Sequence, residues 1–147
     1  MSRIHKRIPM IAVCAAAGVF ATLAVGLAAV PAAPQDQMAR GREIFSRTCL
    51  PCHQEDGTGY AGLFPPLAKS DYFMADKARA IGVVLNGLTG PVTVNGEQYD
   101  NVMPAWAGEL TDQEIADVMT YERNSWGNQG EPVTAEEVAA ARAASKR

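Results

Sequence analysis

The segment Cys49-Leu-Pro-Cys52-His53 constrains this 147-residue chain more than any other feature of the sequence. Two cysteines three positions apart, followed at once by a histidine, form the pattern of covalent haem attachment. Each thiol can add to one vinyl group of the same porphyrin, and the adjacent imidazole is then held over the iron as its proximal ligand. The segment therefore predicts one covalent haem c, attached through Cys49 and Cys52 and ligated by His53.

Three other uses of a cysteine pair agree less well with this sequence. A thioredoxin-like redox site would lie at the start of a helix in a parallel-sheet fold, whereas this pair follows a predicted helix. A structural zinc site needs four Cys or His ligands, but from residue 35 onwards the chain contains only Cys49, Cys52 and His53. A disulfide between the two cysteines would close a very short loop, stabilise little, and leave the histidine unexplained.

Residues 1–32 have the layout of an export segment. Basic residues at positions 3, 6 and 7 precede an uncharged apolar stretch over residues 8–30, and small residues follow. Cleavage after Ala32 satisfies the small-x-small rule with Val30, yet the stretch is also long enough to span a bilayer. We therefore expect either a signal peptide or an N-terminal anchor that contacts the membrane through residues 8–30. Either outcome predicts a periplasmic protein, soluble or anchored to the inner membrane.

The charge is distributed unevenly along the chain. Removing the three basic residues of the export segment from the 13 in the chain leaves 10 against 16 acidic residues, or six net negative charges. Nucleic-acid-binding domains carry basic patches, so the sequence argues against a nucleic-acid partner.

Local patterns predict a mostly helical chain with one hairpin. Asp36 is expected to cap a helix over residues 36–48, and a second helix is expected over residues 71–85. Between them, glycines and prolines over residues 54–67 predict a loop. The Asn95-Gly96 pair between β-branched residues predicts a small β-hairpin. There is no strand-helix alternation, so the expected fold class is all-α.

Two capping boxes predict the helices of the C-terminal third. Thr111 and Glu114 open a helix whose apolar residues form one stripe until Trp126 and the following glycine. Thr134 and Glu137 open an alanine-rich tail helix. The stripe of the first of these helices comprises Ile115, Val118, Met119 and Tyr121.

A methionine is the expected second iron ligand, because no second histidine follows the export segment. A thioether is a soft ligand that favours ferrous iron and raises the reduction potential. Met103 is favoured, since it precedes Pro104 in an irregular segment that can wrap around one face of the haem. Met38, Met74 and Met119 remain alternatives, although their predicted helical positions suit core packing.

Three separated blocks resemble the class I cytochrome c family over residues 38–126. One is the attachment segment with Gly41 and Phe45 before it, which the family packs against its last helix. Another, Gly62-Leu-Phe-Pro65-Pro-Leu, is similar to a family loop whose proline carbonyl accepts a hydrogen bond from the haem histidine, and the resemblance assigns that role to Pro65. The third runs from the Asn95-Gly96 pair through Met103 to Gly127.

The resemblance implies a class I cytochrome c fold wrapped around one haem and an electron carrier, not an enzyme, that exchanges electrons with redox partner proteins. The expected organisation is a cytochrome domain over residues 33–127 and a tail helix within residues 128–147. The third block is similar to cytochrome domains that serve larger bacterial redox enzymes, so a subunit of a membrane-associated dehydrogenase, reductase or oxidase complex is the alternative. A haem enzyme or gas sensor would need an open iron position, against which Met103 argues.

Overall fold

A computed structural model of the protein describes residues 35–145. The predicted export segment over residues 1–32 lies outside the described residues. The elements run in the order α1 (Gln35–Thr48), α2 (Leu50–His53), α3 (Asp71–Ala75), α4 (Lys77–Asn86), β1 (Val92–Val94), β2 (Glu97–Tyr99), α5 (Asp112–Arg123) and α6 (Ala135–Ser145). Within residues 35–145, no helix has the length and apolar character needed to cross a membrane. The predicted all-α fold with a small hairpin is confirmed.

Helices α1 and α5 form the main contact of the fold. They cross at Gly41, where the absence of a side chain brings the α1 backbone against the carbonyl oxygen of Asp117 and the Cβ of Tyr121. One turn further along α1, the buried ring of Phe45 packs against the rings of Tyr121 and Trp126, at centroid distances of 5.6 and 5.1 Å. This crossing holds the end of α1, and with it the attachment segment, in a fixed position.

The first predicted helix differs slightly from the observed one. Helix α1 begins at Gln35, so Asp36 lies in its first turn and does not precede it as a cap. A carboxylate in the first turn still stabilises the helix through its dipole.

The predicted helix over residues 71–85 is wrong as a single element. The chain forms α3 and α4 instead, separated by Asp76, whose backbone is extended at φ −140° and ψ 104°. The Asp76 carboxylate accepts a hydrogen bond from the backbone N–H of Arg79 and so starts a new helix, while Ser70 caps α3 in the same way. Helix α4 ends at Asn86, followed by Gly87, as predicted.

The Asn95-Gly96 pair forms the turn of the predicted hairpin. Strands β1 and β2 are antiparallel, with Val92 opposite Tyr99 and Val94 opposite Glu97. Asn95 also ties the turn to α3, because its side chain accepts a hydrogen bond from the backbone N–H of Asp71 at 2.9 Å.

Helix α5 lies at the centre of the molecule. Its predicted capping box between Thr111 and Glu114 is present, and the helix ends at Arg123, three residues before the predicted stop at Trp126. Its buried residues extend around the helix, because α1, α4 and α6 all pack against it. The polar residues Asp117, Thr120, Glu122 and Arg123 are therefore buried beside the predicted apolar stripe.

Candidate haem-binding site

The attachment segment follows the end of α1 without a break in hydrogen bonding. The backbone N–H of Cys49 donates to the Phe45 carbonyl at 2.9 Å, and the N–H of His53 donates to the Cys49 carbonyl at 3.0 Å. Pro51 lies in the first turn of the short helix α2, where a missing N–H costs nothing. This turn brings Cys49, Cys52 and His53 to one cavity, and both cysteines are free, half-buried thiols.

The His53 imidazole is buried and held in one orientation. Its Nδ1 lies 3.0 Å from the carbonyl oxygen of Pro65, and since a carbonyl can only accept, Nδ1 carries the proton. Burial lowers the pKa of His53, and the hydrogen bond from Nδ1 to Pro65 opposes that effect. The ring is thus a neutral imidazole whose Nε2 has a free lone pair, the form that binds iron.

The loop that presents Pro65 is fixed by its own backbone hydrogen bonds. Tyr60 and Phe64 pair across the loop, and the N–H of Gly59 donates to the His53 carbonyl at 3.0 Å. The N–H of Leu67 donates to the Gly57 carbonyl at 2.8 Å. These contacts tie the loop to α2, so the Pro65 carbonyl and the His53 ring keep a constant separation.

Met103 lies on a separate segment that reaches the same cavity. It pairs with Leu88 through two backbone hydrogen bonds of 3.1 and 2.9 Å. Gly87, at φ +76°, has its missing Cβ position 2.6 Å from the Met103 carbonyl oxygen. Past Pro104, the N–H of Trp106 donates to the Val84 carbonyl at 3.0 Å, which anchors the segment to α4.

The other methionines of the described residues do not line this cavity. Met119 is fully buried in the core of α5, and Met74 packs against the core while partly exposed. Met38 is half-buried on α1. Met103 is therefore the one methionine that residues 35–145 bring to the cavity with His53.

The cavity itself suits a flat apolar macrocycle. Protein atoms leave an open cleft of about 1180 Å³, which includes the space at its mouth. Its walls are mainly apolar and come from α3, α4, the hairpin and both loops. Two thiols, one imidazole and one thioether are the polarisable groups that it presents, a donor set that fits covalent haem c. Apolar wall residues include Phe64, Leu67, Phe73, Val84, Val94 and Trp106.

One buried residue of this cavity was not predicted from the sequence. Glu122, on α5, lines the wall beside Cys49 and is 4% exposed. A signal for it exists, because Glu122 lies seven residues after Ile115 and four after Val118, on the same helix face as both. A charged residue at such a position is easily assigned to the solvent side.

Comparisons with known proteins agree with this geometry. Residues 36–121 match the family model described as "Cytochrome C oxidase, cbb3-type, subunit III". The chain is 39% identical to cytochrome c-552 of Thermus thermophilus over 114 residues, which cover 71% of this chain and 86% of that protein. It is 36% identical over 90 residues to the cytochrome c subunit of a quinone alcohol dehydrogenase from Gluconobacter oxydans (strain 621H), covering 60% of this chain.

The relatives named as enzyme subunits are much longer than the region they share with this chain. The match spans 18% of the alcohol dehydrogenase subunit. A gluconate 2-dehydrogenase cytochrome c subunit from Pantoea cypripedii is 36% identical over 110 residues, covering 73% of this chain and 25% of that protein. The shared part is the domain that holds the haem segment, and it supports single-electron transfer as the function. The chain thus belongs to the family of the cbb3-type oxidase subunit III model and is a class I c-type cytochrome with covalent haem c.

Proposed function

We propose that this cytochrome is a non-catalytic electron carrier that works outside the cytoplasm with His53 and Met103 as its two axial iron ligands. The observation that carries the proposal is the convergence of Cys49, Cys52, His53 and Met103 on one apolar cavity. Bound haem supplies the one-electron chemistry. The residues of the chain attach it, orient its ligands and keep water away.

Each site residue has a distinct task in this proposal. Cys49 and Cys52 form the thioether bonds, and their position on a tight turn places both thiols on one side of the cavity. Pro65 fixes the imidazole and raises its basicity toward iron through the hydrogen bond to Nδ1. Met103 would hold the iron from the side opposite His53, so substrates and gases would have no open site. A carrier that keeps both ligands in both redox states needs little reorganisation on electron transfer.

The arrangement along the chain supports a location in the periplasm. Residues 1–32 would act as signal peptide or inner-membrane anchor, residues 33–127 as the cytochrome domain and residues 128–147 as a tail helix. The redox partners would be other proteins, either met by diffusion or bound in one complex. Relatives named as cytochrome subunits of dehydrogenases and of a cbb3-type oxidase favour a complex as the second candidate. Purification from the native membrane in mild detergent separates the two, because a subunit brings its complex with it.

Replacement of the methionines tests the ligand assignment. Met103→Ala should keep the haem covalently attached but remove the thioether-to-ferric-iron absorption band, lower the reduction potential and admit carbon monoxide, because a thioether favours ferrous iron. Met74→Ala is the matched control and should keep the band, since Met74 packs against the core outside the cavity lining. If Met103→Ala keeps the band and Met74→Ala loses it, the assignment is wrong.

A further inference from the structure

Glu122 is an acidic side chain buried in the wall of the haem cavity. Its residue is 4% exposed. It is the only carboxylate that residues 35–145 place in the cavity lining, and it lies beside the Cys49 thiol. The attachment, ligand and orientation roles already assigned make no use of it. A buried carboxyl group is costly when charged and unpaired, so its retention in this wall calls for a physical account.

No cation neutralises Glu122 among the described residues. The five ion pairs of residues 35–145 involve other carboxylates. Arg123, the next residue, turns away and donates to the carbonyl oxygens of Phe73 and Glu131, at 3.2 and 3.4 Å. Asn128 hydrogen-bonds to the backbone of Glu122 and not to its carboxylate, donating to the carbonyl oxygen at 2.8 Å.

The other titratable side chains of the described cavity lining are thiol, imidazole and phenol groups, with no lysine or arginine among them. From the turn after α1 come Cys49, Cys52 and His53, and from α3 and β2 come Tyr72 and Tyr99. Lys69, on the adjacent loop, is exposed at the surface. Attachment of haem converts the Cys49 thiol to a thioether, which has no proton to donate. Burial and the charge of the haem iron that Glu122 faces therefore determine the protonation of its carboxyl group.

Burial raises the pKa of Glu122 to about 8, with the Cys49 hydrogen bond opposing the shift. The carboxyl group is thus poised to change protonation near neutral pH, unlike an exposed glutamate at about 4.3. A positive charge nearby lowers the pKa of a carboxyl group. Ferric haem carries one more positive charge than ferrous haem, so the pKa of Glu122 is lower in the oxidised protein.

We propose that Glu122 is a redox-linked proton-binding site, which takes up one proton from solvent when the haem accepts an electron and releases it when the electron leaves. The step balances: the partner protein supplies the electron, ferric haem becomes ferrous, and the carboxylate becomes a neutral carboxylic acid. The inference rests on the proposed function as an electron carrier. Its consequence is a reduction potential that depends on pH between the two pKa values of Glu122.

Spectroelectrochemical titration of the full-length holoprotein from about pH 5 to about pH 10 tests the proposal. The reduction potential of the unmodified protein should fall as pH rises through the range between the two pKa values of Glu122. The fall should reach at most about 59 mV per pH unit, which corresponds to a tenfold change in the reduction equilibrium. Glu122→Gln, which keeps the shape and removes the acid, should lose that step. Glu43→Gln, at an exposed position of α1, should keep it.

Each result has a separate meaning for the two proposals. If Glu122→Gln retains covalent haem and the methionine band but shows the same pH dependence as the unmodified protein, the proton arises from the haem propionates and the inference is overturned. Loss of the band in the unmodified protein would instead contradict the axial ligands.

A measurement on the unmodified protein decides the matter if Glu122→Gln does not fold. In redox-difference infrared spectra near pH 8, reduction should produce the C=O stretching band of a protonated carboxylic acid, which shifts when glutamate is labelled with ¹³C. The label identifies the band as that of a glutamate side chain, and a carboxyl group with the ordinary glutamate pKa of about 4.3 does not change protonation near pH 8. Spectra without such a band at any pH across the titration would overturn the proposal.

Discussion

Gly41 shows how much of the fold depends on a single missing side chain. A Cβ there would meet the carbonyl oxygen of Asp117 and lie 2.7 Å from the Cβ of Tyr121. Both groups belong to the rigid backbone region of α5, so neither can move aside without separating the helices. The attachment segment begins one turn after Phe45, directly after the end of α1, so the crossing also determines where the haem cavity lies.

Gly41→Ala should therefore destabilise the holoprotein by about 1–3 kcal/mol, the usual effect of overpacking. Gly82→Ala provides the control, because Gly82 lies inside α4 with no atom within 4 Å of an added Cβ. That change should stabilise by ~0.5–1 kcal/mol through helix propensity alone. Denaturant unfolding measures the change in the free energy of unfolding of each variant. Equal changes in the two variants would show that α1 and α5 can separate freely at Gly41.

Glu122 also gives a stability prediction with a definite sign. Its pKa is raised to about 8 in the folded protein by burial, compared with about 4.3 in the unfolded chain. The folded state then binds the proton more tightly than the unfolded chain does. The resulting contribution to the free energy of unfolding is complete below the pKa of the unfolded chain, and it is lost as pH rises through about 8. The free energy of unfolding of Glu122→Gln should exceed that of the unmodified protein increasingly with pH, measured with the haem in one redox state. A difference that does not change with pH would contradict this.

The residues that form a fixed chemical motif could be recognised in the sequence. Not all of the residues that line the same cavity could be recognised in this way. Cys49, Cys52 and His53 are adjacent, so their relation is local and spacing alone indicates it. Glu122 reaches the same cavity only because α5 packs against α1, a contact between residues more than 70 positions apart. For long-range packing of this kind, the sequence indicates only the helix face on which a residue lies.

At the scale of whole elements, capping residues decided where helices start. The boxes at Thr111 and Thr134 were predicted and are present, with side-chain to backbone hydrogen bonds in both directions. Asp76 also caps a helix, but it lies inside an apolar periodicity that runs through α3 and α4, with no glycine or proline at the break. A carboxylate that competes for the backbone N–H three residues later can break such a run, and sequence periodicity does not reveal whether it does.

The tail helix α6 is tied to the segment that carries Met103. Arg142 donates to the carbonyl oxygens of Ala107 and Leu110, at 2.5 and 3.0 Å, and pairs with Asp112 at 2.7 Å. Its side chain is 19% exposed, so water can replace these bonds only in part. Through this contact, α6 holds the stretch between Met103 and the start of α5.

Arg142→Ala should destabilise the stretch between Met103 and the start of α5 by about 1–3 kcal/mol, because two carbonyl groups lose a charged donor. The thioether band should disappear at a lower temperature or denaturant concentration than in the unmodified protein, with the haem still attached. Arg47→Ala is the matched control, since Arg47 forms an exposed ion pair with Glu114 that contributes only ~0–1 kcal/mol. Equal loss of the band in both variants would mean that α6 does not support the Met103 segment.

On the scale of the molecule, the haem cavity lies where every described element except α6 contributes a lining residue. The α1–α5 pair supplies the attachment side, the loop over residues 54–67 supplies Pro65, and the pairing of Leu88 with Met103 positions the proposed second iron ligand. The overall architecture was predictable because each of these parts carries its own local signal and a single cofactor site unites them. The space between them results from packing and has no local signal.

The net charge of the molecule predicts how it meets other redox species. Excluding residues 1–32, 16 acidic residues outnumber 10 basic ones, and the haem propionates add to that excess. Electron transfer with a cationic reagent such as hexaammineruthenium should therefore slow as ionic strength rises, because salt at 0.1 M screens the attraction between charges more than about 10 Å apart. Transfer with anionic ferricyanide should accelerate over the same range, since the screened interaction is repulsive. Stopped-flow rates that stay flat for both reagents would show that the acidic excess keeps the protein soluble but does not steer its encounters. Opposite slopes would predict a basic docking face on the physiological partner.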